Sequence, residues 1–266
     1  RFDSFNLRVK DWSPGNAKGN MLGLLLSDPL QQSVLQDKID LELSSYQPVV
    51  VYLNGKYRGI HNLRERQNEE YISYYHGEDP DNLDIFRLNK ADLSGDTVNI
   101  HNGDSVHFAN LVSYLNSNDL TQEEPYQYVK TQIDIKSFVN YHVVENYYAN
   151  IDWPDNNQKL WRPRREGGKW RWILFDMDFG FNTFKWTTWP VWESWRRDMF
   201  DVASGIREQY IDPWSYILFR KLDKNPGFIE EFVQTYSHHM NTTFQPPRLR
   251  HFVDSLVHHR MNPITE

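Results

Sequence analysis

Two β-rich runs, Pro48-Val-Val-Val-Tyr-Leu53 and Lys56-Tyr-Arg-Gly-Ile-His-Asn-Leu63, stand with only Asn54-Gly55 between them. Asn and Gly tolerate positive φ at the two central positions of a type I′ turn, so the pattern predicts a hairpin. Ahead of it, residues 5–9 read as a strand. Leu and Met at helical spacing over residues 19–39 predict one helix, interrupted near Asp28-Pro29. Behind the hairpin, residues 64–75 predict a short helix stopped near Gly77, Asp79-Pro80-Asp81 a turn, and residues 83–88 a strand. Residues 89–104, rich in Asn, Asp and Gly, read as a connector. The period then lengthens: residues 108–115, 135–148, 214–222 and 228–236 carry apolar side chains close to helical spacing. Strands first and helices later is the α+β arrangement. It divides the chain into a β-rich part over residues 1–95 and a mainly helical part over residues 96–266.

Composition narrows the picture. A chain of 266 residues can bury a sizeable core. With 36 acids against 29 bases the net charge is −7, which argues against a nucleic-acid binder built on a basic face. The 10 Trp, 15 Tyr and 15 Phe supply large buried areas and keep a sugar-binding surface in play. Without cysteine there is no disulfide, thiolate metal site or Cys nucleophile. No apolar run approaches the ~20 residues of a membrane span. The chain opens at Arg1 on sequence with the texture of a domain interior. We expect a fragment of a longer protein, so a missing leader carries no meaning.

Candidate chemistry gathers in one region. Asp152-Trp-Pro-Asp-Asn-Asn157 places an amide five residues after an acid. Trp170-Arg-Trp-Ile-Leu-Phe-Asp176-Met-Asp178-Phe-Gly180 then reads as a strand delivering two more acids, after a reversal over residues 162–169. Protein kinases arrange a catalytic base and magnesium ligands with that spacing, followed by Asp-Phe-Gly. On this reading Asp152 is the base, and Asn157, Asp176 and Asp178 supply hard oxygen ligands. The spacing alone leaves alternatives open. Asp, Asn and Pro also make hydrogen-bonded turns, the two acids also suit a solvated strand end, and Ca²⁺ suits them as well.

Several blocks in order are similar to the spore coat protein H (CotH) family of atypical, secreted or coat-associated protein kinases. They are Phe5-Asn-Leu-Arg8, Val51 through Arg66, Tyr148-Ala-Asn-Ile-Asp152 through Asn157 with Leu160-Trp-Arg162, and Trp170 through Phe181. The resemblance implies a two-lobed kinase-like fold with a β-rich N-terminal lobe and a helical C-terminal lobe. It also implies ATP-dependent phosphorylation of Ser or Thr on partner proteins, Mg²⁺ or Mn²⁺ at the Asp-x-Asp-Phe-Gly segment, and an extracellular or envelope-associated setting. Carried over by motif, Asp152 is the catalytic acid, and Asn157, Asp176 and Asp178 are the metal ligands. Asp-Phe-Gly favours Asp178 and the strand end favours Asp176.

The chain departs from ordinary protein kinases in lacking a Gly-x-Gly-x-x-Gly loop and a Val-Ala-Ile-Lys strand. Other residues must hold the nucleotide phosphates. Arg8, Arg64 and Arg66 are candidates, since an Arg fork matches phosphate geometry, with Glu65 as an ion-pair partner. Trp186, Trp189, Trp192 and Trp195 follow the metal segment, either as an aromatic platform or as lobe packing. His238-His239 and His258-His259 lack helical metal spacing and read as surface positions. Two further readings stand beside the kinase: a catalytically silent relative that binds envelope proteins or glycans, and a calcium-stabilised structural domain.

Overall fold

The structure, a computed structural model, describes residues 4–8, 27–89, 98–154, 156–181, 197–205, 213–256 and 258. A three-stranded antiparallel sheet has the order β1 (Phe5–Arg8), β3 (Lys56–Glu65), β2 (Tyr46–Leu53). The β2–β3 turn places Asn54 at φ 51° and Gly55 at φ 72°, the left-handed pair that type I′ requires. β3 runs on through Glu65, where sequence alone predicts helix, because Arg64 and Glu65 pair with Asn6 and Phe5 of β1. The helix, α2 (Glu69–His76), begins only after Asn68, whose side chain accepts from the Tyr71 N–H, and it ends at left-handed Gly77. In α1 (Ser27–Leu35), Pro29 occupies the first turn instead of breaking the helix. A first-turn residue has no intrahelical acceptor, so Pro loses nothing there.

The second sheet is antiparallel throughout, in the order β5 (Val98–Asn102), β4 (Leu83–Leu88), β6 (Gln158–Pro163), β7 (Arg171–Ile173). β5 falls in the stretch expected to be a connector; its ladder with β4 orders a segment whose own residues carry little strand signal. β4 lies before residue 95 and β6 after it, so this sheet joins both parts of the chain. One face packs Leu83, Ile85, Trp161 and Ile173 against Tyr71 and Ile72 of α2. The other sends Phe86, Leu88, Leu160 and Trp172 into the main core.

That core is completed by α3 (Val106–Ser117), α4 (Glu123–Gln132), α5 (Ile135–Tyr148), α6 (Met199–Ser204), α7 (Pro213–Leu222), α8 (Pro226–Asn241) and α9 (Pro246–Leu256). In α5 every residue except Lys136 and Tyr147 is buried. The sequence did not signal α4, which buries only Tyr126 and Val129. His239, expected at the surface, is buried, with Nδ1 3.0 Å from Thr243 Oγ1. Trp186, Trp189, Trp192, Trp195 and His259 lie outside the described residues. Among the described residues no helix is long and apolar enough to cross a membrane. The architecture is α+β and kinase-like.

Candidate active site

α5 stops at Ala149, which turns left-handed at φ 47°, and releases the loop that leads to β6. Within it, Asn150 Oδ1 accepts from the Asp152 N–H at 3.2 Å. Asp152 Oδ2 then accepts from Asn156 Nδ2 and Asn157 Nδ2, each at 2.8 Å. The acid and the amide five residues on are therefore in direct contact. Asn157 holds a left-handed backbone, φ 59°, which Asn tolerates better than most residues. Arg87 Nη2 donates to Asn157 Oδ1 at 2.5 Å and to Asn156 Oδ1 at 3.1 Å.

β7 delivers the second group of acids. Asp176 is also left-handed, φ 59°. The turn after it is pinned from α1: the Met177 N–H donates to Asp28 Oδ1 at 2.9 Å, and Gln31 Nε2 donates to Met177 O at 2.6 Å. Gly180 closes the turn with N–H to Met177 O at 3.0 Å. A Cβ there would lie 2.2 Å from Gln31 Oε1, so any larger residue would have to displace the amide that holds Met177 O. The Asp176 side chain is 31% exposed and that of Asp178 only 2%. Arg8 reaches both, with Nη2 at 3.0 Å from Asp176 Oδ1 and 3.9 Å from Asp178 Oδ2, while Nη1 is 3.9 Å from Asp28 Oδ2. Burial works against the Arg8 charge, but the three carboxylates outweigh it and raise its pKa.

Asp176 lines a cleft of about 530 Å³ with Arg8, Asp28, Arg64, Arg66, His101, Lys159 and Phe175. The sequence marks Asp28 only as part of a helix interruption, and it is the buried anchor of this wall. Arg64 Nη1 donates to its Oδ2, and Gln32 Nε2 to its Oδ1 at 2.8 Å. Burial pushes the Asp28 carboxyl up, but Arg64 and the Met177 N–H prevail and hold it below its ordinary value. Lys159 was missed as well. On β6 it pairs directly with Arg87 of β4, so two cations stand side by side on the face that packs against α2. Like charges directly opposite on a sheet repel, which favours an anion nearby. Lys159 Nζ donates to Gln67 O. Burial, with Arg66 and Arg87 facing it, brings its pKa down to about 8. Arg87 itself lies 5.0 Å over the Phe175 ring.

The predicted phosphate residues separate. Arg8 faces the acids. Arg64, only 4% exposed, is committed to Asp28 and Ser44. Arg66 is exposed on the cleft wall, with no ion pair among the described residues. Glu65 is not their ion-pair partner: its carboxylate accepts from the Ser45 N–H at 2.9 Å and from the Tyr75 hydroxyl at 2.8 Å. Asp28 takes the place foreseen for it. Asp176 and Asp178 offer hard oxygen donors and Arg8 reaches both carboxylates, while the Asn157 side-chain oxygen accepts from Arg87. Among the described residues no group of three or more His, Cys, Asp or Glu could hold a metal ion.

An acid–amide pair and an Asp-x-Asp-Phe-Gly turn are carried on this α+β, kinase-like frame. The family model described as CotH kinase protein matches residues 17–266, and the chain belongs to that family. No curated protein matches the chain.

Proposed function

We propose that the protein is a metal-dependent protein kinase that transfers the γ-phosphoryl group of ATP to Ser or Thr of partner proteins. The observation that carries this reading is the hydrogen bond from Asn157 to Asp152, with Arg87 on Asn157 linking that pair to the cationic side of the Asp176 cleft. Asp152 orients the acceptor hydroxyl and takes its proton, while two amides hold the carboxylate in one orientation. Asp176, whose side chain faces the cleft, would be the direct metal ligand, with Asp178, nearly sealed from solvent, supporting it. Asn157 would supply the amide ligand once Arg87 releases its side-chain oxygen. When bound, Mg²⁺ or Mn²⁺ neutralises charge on the phosphoryl oxygens. Arg66 and Lys159, with Arg87 and His101 beside them, hold the nucleotide phosphates in place of a Gly-rich loop. Arg8 exchanges its hold on Asp176 for a phosphate oxygen. An extracellular or envelope-associated setting goes with this reading.

Asp152→Ala is expected to lower phosphate incorporation from ATP by about 10²–10⁴-fold. The chain should still fold, with a melting temperature lowered by a few degrees because the buried Asn157 amide loses its acceptor. Incorporation at the wild-type rate would remove the assignment.

A further inference from the structure

Beneath the Asp152 loop lies a buried acid that phosphoryl transfer, as described, does not use. Glu145 on α5 has no solvent exposure. Its Oε2 accepts from Asn150 Nδ2 at 3.0 Å, and Asn150 Oδ1 accepts from the Asp152 N–H at 3.2 Å. Asn150 is itself fully buried, and its Nδ2 lies 3.7 Å from the sulfur of Met177, the residue between the two acids. One turn earlier on α5, Tyr141 approaches Glu145, and its hydroxyl donates to Asn157 O at 3.4 Å. One buried helix face thus touches both ends of the loop and, through Asn150, the metal turn.

We propose that Glu145 is a positioning residue: it fixes the Asn150 amide, which fixes the Asp152 backbone against the Met177 turn. Its purpose rests on the kinase reading, but its geometry does not. The titratable groups facing it are Tyr141 from its own helix and Asp152 from the loop, and neither is a cation. Burial raises its pKa to about 8, so the neutral form predominates near pH 7 and the carboxyl adds little charge to repel Asp152. A neutral acid accepts with one oxygen and can donate from the other, which suits a hub between Asn150 and Tyr141.

The test is hydrogen exchange on the full chain. Glu145→Ala should speed exchange over residues 149–157 by about tenfold or more, with α8 unchanged. Asn150→Ala, which cuts the same link from the loop side, should do the same, and Glu145→Gln, which keeps the acceptor oxygen, should restore protection. Urea unfolding gives a second readout. The folded pKa lies above the unfolded value, so this contribution is complete below about pH 4.3 and is lost as pH rises through 8. Relative to Glu145→Gln, the wild-type folding constant should fall by about tenfold per pH unit between pH 5 and 8. Unchanged loop exchange in both alanine variants overturns the proposal, as do parallel pH profiles for wild type and Glu145→Gln. A wild type that shows the exchange effects but transfers no phosphate would overturn the kinase reading and leave the positioning role standing.

Discussion

Arg64 and Arg66 are two residues apart, and burial gives them different work. Arg64 is closed in beneath the sheet, bound to Asp28 and Ser44, while Arg66 stands exposed on the cleft wall. Arg64→Met leaves the Asp28 carboxylate buried without its main partner. That should cost about 3–5 kcal/mol, read by urea unfolding. Arg66→Ala should change stability by only about 0.5 kcal/mol, yet raise the KM for ATP. A single unfolding and kinetic series on the two variants checks both outcomes. Asp28 titrates below its ordinary value, so its contribution is present above about pH 4 and is lost as pH falls through the folded pKa. Arg64→Met should therefore flatten the acid limb of the stability profile. Sequence grouped these two arginines because an exposed cation and a buried one are written with the same letter.

At the level of elements, α8 depends on one residue outside it. Asn225 Oδ1 accepts from the Gly227 and Phe228 N–H groups at 2.9 and 3.1 Å, and Nδ2 reaches back to Leu120 O at 2.7 Å. Asn225→Ala should cost about 1–2 kcal/mol of folding stability in chemical denaturation, since it removes a cap and orphans a buried carbonyl. β4 shows how far a pattern can be read. Its run Leu-Asp-Ile-Phe-Arg-Leu predicts a strand, and the strand is there. The partners that give Arg87 a role, Lys159 across the ladder and Asn157 in the loop, come from elsewhere in the chain. Alternation fixes which residues share a face; only pairing fixes what that face meets.

For the molecule as a whole, two buried groups on α5 shape the response to pH. Burial lowers His142 to about 3 and raises Glu145 to about 8. The neutral histidine contributes stability above about pH 6.5 that is lost as pH falls through 3. The neutral acid contributes stability below about pH 4.3 that is lost as pH rises through 8. Between about pH 4.3 and 6.5 the two slopes cancel, so these groups predict a plateau that falls away on both sides. Urea midpoints measured from pH 3.5 to 8.5 check it, and Glu145→Gln should remove the decline above about pH 6.5 and turn the plateau into a rise with pH between about 4.3 and 6.5.

What the chain wrote locally is what sequence could determine. The Asn54-Gly55 hairpin, the buried helix over residues 135–148, the Asp152…Asn157 loop and the Asp176-Met-Asp178 turn all follow from patterns within about a dozen residues. Dihedral preference and side-chain periodicity act over that range. The tertiary structure alone decided that Asp28 anchors the Asp176-Met-Asp178 turn, 149 residues from Met177, and that Arg87 meets Asn157 from 70 residues away. It alone turned Arg64 inward, set Lys159 beside Arg87 and sealed Glu145 under the Asp152 loop. Those outcomes depend on burial and charge pairing between distant segments, and such terms take their sign from neighbours that only the folded chain brings together.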